Sequence, residues 1–108
     1  MSGSTVEIDG RTHHLIAPAK LVIDVGLLVV VLLDPDAHIP KFGQFENIVA
    51  LRRAGEEYWR AELPTTTTGD CYLAARLHGD AISARSFSSY DVELDALTGR
   101  ILSKEFSK

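Results

Sequence analysis

Along most of the chain apolar and polar residues alternate with a period of two, the spacing that lets a pleated strand turn one side to a core. Val6 and Ile8 flank Glu7, and Asp9-Gly10 follows as a dipeptide suited to the positive φ angles of a tight hairpin turn. A second strand is expected from about Thr12 to Ala17, stopped by Pro18. Lys20 to Val25 and Leu27 to Asp34 form the next pair, with Gly26 at their turn. From Leu27 to Leu33 every residue is apolar, which predicts a central strand covered on both faces.

The second half keeps the same rhythm. Phe45, Val49 and Leu51 share a side, and Ala54-Gly55-Glu56 reads as a turn. Trp59, Ala61 and Leu63 are expected inward, with Tyr58, Arg60 and Glu62 outward. Cys71, Leu73, Ala75 and Leu77 predict one buried face, opposite Tyr72 and Arg76. Ile82 and Ala84 agree in phase but Phe87 does not, which suggests a bulge between Ala81 and Ser88. Tyr90, Val92 and Leu94 oppose Asp91, Glu93 and Asp95, Leu97-Thr98-Gly99 turns the chain, and Arg100 to Phe106 closes it. Helical spacing is hard to find anywhere. The pattern predicts one all-β domain over residues 1–108, with nine to ten short strands in antiparallel meanders forming a sandwich or a blade-like pair of sheets.

Two stretches are alike. Asn47-Ile48-Val49-Ala50-Leu51, Gly55 and Trp59 are followed about 44 residues later by Asp91-Val92-Glu93-Leu94-Asp95, Thr98-Gly99 and Ile101-Leu102. Each resembles a blade of the quinoprotein-type β-propellers, where a strand, a Gly-containing turn and a further strand recur at about 40 to 45 residues. The resemblance covers about a third of the chain and implies about two blade-like units built as antiparallel meanders. It carries no quinone or metal ligand across, and no cofactor is expected. The run Val29 to Pro35 is also similar to segments of small bacterial proteins with no assigned activity.

Composition narrows the function classes. The 108 residues are 45% hydrophobic and 24% charged, with a net charge of −4, values that suit an ordinary folded domain. The only adjacent basic pair is Arg52–Arg53, whereas nucleic-acid binding draws on clustered Lys and Arg; no nucleic-acid partner is expected. The uninterrupted apolar run is far shorter than the roughly 20 residues that span a membrane, so no membrane partner is expected either. Cys71 stands alone, and Glu7 and Asp9 lie where a secretion signal would carry positive charge. A cytoplasmic location is expected.

Candidate chemistry is sparse. His13 and His14 are neighbours in a strand, so they point to opposite faces and cannot jointly clasp one ion. Asp34-Pro35-Asp36 begins a calcium-loop pattern, but Ala37 and His38 follow in place of the acid and Gly it needs. Cys71 reads as a buried structural thiol rather than a nucleophile. No nucleophile elbow, phosphate loop or dinucleotide fingerprint is present in the sequence. No catalytic residue and no metal ligand is expected.

What remains points to recognition. Outward tyrosines anchor protein interfaces, which selects Tyr58 and Tyr72. The loop from Asp34 to Phe45 is too long for a minimal hairpin and carries His38, Lys41 and Phe42. The favoured reading is a non-enzymatic domain that binds another protein, as a regulatory or toxin-neutralising partner. The alternative is a small-molecule carrier or small enzyme with a pocket between sheets, drawing on His14, His38 or His78. Self-assembly into a homo-oligomer is also open.

Overall fold

The computed structural model describes residues 4–36, 44–66 and 69–106, and all their regular structure is β-strand. Among these residues ten strands follow one another: β1 (Thr5–Ile8), β2 (Arg11–His14), β3 (Ala19–Asp24), β4 (Leu28–Leu33), β5 (Ile48–Arg52), β6 (Glu57–Arg60), β7 (Tyr72–His78), β8 (Ala81–Ser86), β9 (Tyr90–Asp95) and β10 (Ile101–Phe106). They form a two-stranded hairpin, β1-β2, and two four-stranded sheets, β3-β4-β5-β6 and β10-β9-β8-β7. Every pairing is antiparallel and neither sheet closes into a barrel. The fold is an all-β sandwich of meanders.

Three layers stack in chain order. One face of the first sheet (Val30, Leu32, Ile48, Trp59) packs on one face of the second (Tyr72, Ile82, Val92, Leu94). Its other face (Val29, Val31, Leu33, Val49) is covered by Val6 and Ile8 of the hairpin, with Phe45 and Cys71. Hence all six residues of β4 are buried, as the apolar run predicts, except that Leu27, expected in the same covered strand, falls in the turn after Gly26 and is 83% exposed. The hairpin turns on Asp9 and Gly10 with φ of 52° and 82°, both left-handed as a type I′ turn requires.

Strands that hold the same place in the two sheets lie near each other. Lys20 Nζ on β3 donates to the Leu73 carbonyl on β7. Past the end of β6, Lys104 Nζ on β10 donates to the Pro64 carbonyl. Trp59 Nε1 donates to the Ala96 carbonyl at 3.1 Å, and a side chain at Gly99 would collide with the indole ring.

At the far end from the hairpin turns a buried amide joins the sheets. Asn47 Nδ2 donates to the Leu33 and Tyr72 carbonyls at 2.9 and 2.7 Å, and its Oδ1 accepts from the Tyr72 amide at 2.7 Å. Beside it the buried Asp70 carboxylate accepts from the Thr65 and Ser88 hydroxyls and from the Cys71 and Ser88 amides. Asn47 is satisfied by two backbone carbonyls and an amide, and Asp70 by four neutral donors, which is what lets them sit in a core.

Two expectations need correction here. Tyr72 points inward: it is fully buried, and its hydroxyl donates to the Glu62 carbonyl at 2.7 Å. A register shift between Tyr72 and Ala74 makes Leu73 an extra residue, so the strand changes phase. Cys71 and Leu73 face the hairpin-side core while Tyr72 and Ala75 face the inter-sheet core, and Leu77 is exposed. The irregularity suggested between Ala81 and Ser88 is likewise elsewhere. β8 alternates cleanly to Ser86, and Phe87 lies exposed beyond its end.

Arg53 clips the hairpin to the first sheet. Its guanidinium meets Asp9 at 2.8 Å, Asp24 at 3.2 Å and the Gly26 carbonyl at 2.7 Å. Those hydrogen bonds hold both carboxyls below the usual value of 3.8.

Replacing Asn47 by Ala strands a buried amide and two carbonyls, so it should cost about 3 kcal/mol in urea unfolding. Arg53→Met should lower the melting temperature at neutral pH. Because the folded carboxyls titrate below their unfolded value of 3.8, the clip is complete above that pH and fades as acid is added. The difference between the two proteins should therefore vanish in an acid series followed by circular dichroism.

Candidate functional site

Meander topology places the turns β3–β4 and β5–β6 at the same end as β7–β8 and β9–β10. Leu27 from the β3–β4 turn and Leu97 from the β9–β10 turn come together there, 83% and 63% exposed. With Leu28, Arg52 and Tyr58 they line a depression of about 390 Å³ at the mouth between the two sheets. Leu97 also lines a second depression of about 700 Å³ with Val25, Leu77 and Leu102, so the apolar surface is continuous through it.

The two side chains that widen this surface are both placed by bulges. Between β5 and β6, Ala50 pairs with Trp59 but Leu51 pairs with Glu57, leaving Tyr58 unpaired. Between β9 and β10, Ile101 pairs with Leu94 and Ser103 with Glu93, leaving Leu102 unpaired. A bulge re-aims the extra side chain. Here it brings Tyr58 and Leu102 to one further depression shared with Leu97. The Arg52 guanidinium lies 4.8 Å from the centre of the Tyr58 ring, a cation–π contact that fixes the ring's place.

The outer face of the second sheet is of a different character. Its groove of about 730 Å³ is lined by Arg76, Ser83, Arg85, Asp91, Glu93 and Glu105 among others. Part of its charge is answered across strands: Arg85 meets Asp91 at 3.0 Å, and His78 and Ser83 both bond Glu93. The Ser83 hydroxyl is the main reason the Glu93 carboxyl titrates below its ordinary value. Such a surface sits comfortably in water.

Of the five residues that the sequence selects, Tyr58 lies in the apolar mouth and Tyr72 lies in the core, where burial pushes its phenol pKa up. His38, Lys41 and Phe42 lie outside the described residues. The other histidines do not converge. His13 packs its ring against Gly55, His14 is exposed, and His78 sits by Glu93. Among the described residues no group of three or more His, Cys, Asp or Glu side chains is placed to hold a metal ion. Asp34 accepts from the Asp36 amide, an ordinary turn at the strand end. Cys71 is buried, which raises its thiol pKa, with Asp70 adding to the effect.

Leu27, Leu97 and Leu102 are not among the residues that the sequence selects. The available signal is two leucines, Leu27 beside Gly26 and Leu97 beside Thr98-Gly99, at turn positions that usually carry polar residues.

Over residues 1–106 the sequence matches a family described as a domain of unknown function, DUF7957. The chain belongs to that family. Among curated proteins and among solved structures nothing matches it. The DUF7957 match runs from the hairpin to the end of β10, so the family's unit includes all three layers. Among its described residues no helix is long and apolar enough to cross a membrane.

Exposed side chains away from packed features contribute little to folding. Leu27→Ser and Leu97→Ser should therefore each leave stability within about 0.5 kcal/mol of the parent, while together they reduce the binding of a fluorescent dye that reports apolar surface. A large loss of stability would mean that these leucines are part of the core instead.

Proposed function

We propose that this domain is a non-enzymatic protein-binding module, a regulatory or neutralising partner, whose contact surface is the apolar mouth around Leu97. One observation carries the reading: leucines from turns in two different sheets meet, largely exposed, beside an aromatic ring stacked with a guanidinium. Continuous exposed apolar surface is uncommon on soluble monomers. Aromatic residues and Arg are the side chains that dominate binding energy at the centre of interfaces.

The space between the sheets is filled by Tyr72, Ile82, Leu94 and Val30, each no more than 1% exposed. The 390 Å³ mouth has the volume of a small-ligand site. It offers such a ligand only Arg52 and the Tyr58 hydroxyl as polar side-chain groups, which favours a protein side chain as occupant. A reducing cytoplasm suits the lone buried Cys71.

A photo-reactive benzoylphenylalanine placed at Leu27 or Leu97 in the native cells should cross-link to protein. The same probe at Ser103, on the polar outer face, should not. Equal labelling at both faces, or none at Leu27 and Leu97, would overturn the reading.

A further inference from the structure

The mouth carries its charges asymmetrically about Leu97. On one flank Arg52 stacks on Tyr58 and meets no carboxylate among the described residues. On the other flank Asp80, in the β7–β8 turn, is exposed and has no partner among the described residues. Of the other charged groups nearby, Arg53 is paired with Asp9 and Asp24 and Arg60 with Glu57, while Asp95 and Arg100 also border these depressions. An unanswered cation and an unanswered anion on either side of an apolar hub form a self-complementary surface.

We propose that the occupant of this mouth is a second copy of the chain, docked about a two-fold axis that passes close to Leu97. In an isologous contact each residue i meets j and each j meets i. The axis sets Leu97 against Leu97, buries Leu27 and Leu102 at the flanks, and places Arg52 of each copy against Asp80 of the other. Two identical ion pairs then close over one apolar centre. The charges fix the register of the contact, and the apolar side chains supply its affinity. The outer face of the second sheet takes no part, because it is polar and charged.

This inference rests on the protein-binding reading and names the partner. The test is the mass in solution of the parent and of charge-reversed variants, by sedimentation equilibrium. The parent should be a dimer at high concentration. Arg52→Asp and Asp80→Arg should each weaken self-association at least about tenfold, since like charges then face each other twice. Mixing the two variants should restore a dimer, because the first presents only carboxylates at these two positions and the second presents only guanidinia. Both positions are exposed, so each variant should melt with the parent, which separates lost pairing from lost folding.

A parent that stays monomeric, single reversals that dimerise as well as the parent, or a mixture that fails to dimerise would overturn the two-fold contact. A monomeric parent whose Leu27 probe still captures a different protein would remove the dimer and leave the binding reading standing. No cross-link and no dimer would remove both.

Discussion

The first sheet must be covered on both faces, and the rest of the architecture answers that demand. β4 presents six apolar side chains in succession, and a pleated strand sends them alternately up and down. Either face left open would expose a stripe of Val and Leu. The second sheet covers one face and the β1-β2 hairpin covers the other. Each cover then needs only one apolar side. β8 is accordingly half-buried and buried by turns, and the hairpin leaves Glu7, Arg11, Thr12 and His14 to solvent. The stack ends where alternation replaces continuous apolarity.

The layers also repeat a contact. Gly55 and Gly99 lie in the same turn of successive sheets, between third and fourth strands, with φ of 107° and 74°. Each has a ring of the preceding layer where a side chain would otherwise stand: His13 from β2 on Gly55, and Trp59 from β6 on Gly99. The positive φ and the ring together exclude a Cβ at both places. The likeness between the segments around Asn47–Trp59 and Asp91–Leu102 falls on these equivalent strands and turns. One packing rule, applied twice, accounts for it. The hairpin supplies the ring that the first sheet needs, as the first sheet does for the second.

How much of this is legible in the residues depends on whether a feature is periodic. Strand count, the all-β class, the two-sided burial of β4 and the Asp9-Gly10 turn follow from local pattern. Tyr72 escapes that pattern because alternation assumes an unbroken strand, and the extra residue at Leu73 shifts the phase where no Gly or Pro marks it. The Asn47 and Asp70 networks depend on which strand ends meet, which spacing does not encode. Tyr58 is legible as outward. That it lies beside Leu27 and Leu97 is not, because those three belong to turns and strands of two sheets whose stacking order is a long-range property.

The same long-range property explains why the apolar outlet lies at an end of the sandwich and not on a face. Both outer faces must be polar to stop the stack, so a surviving apolar surface can emerge only along the rim between sheets. At the opposite rim the buried Asn47 and Asp70 networks join the sheets. At the hairpin-turn rim the connections are too short to fold over it, and bulges in β6 and β10 turn Tyr58 and Leu102 towards the opening rather than away. Exposed apolar side chains stand elsewhere too, Ile16, Phe87 and Phe106 among them. Among the described residues, only at this rim do leucines from turns of both sheets line one opening. The layers that fix the core therefore also fix where the mouth around Leu97 opens.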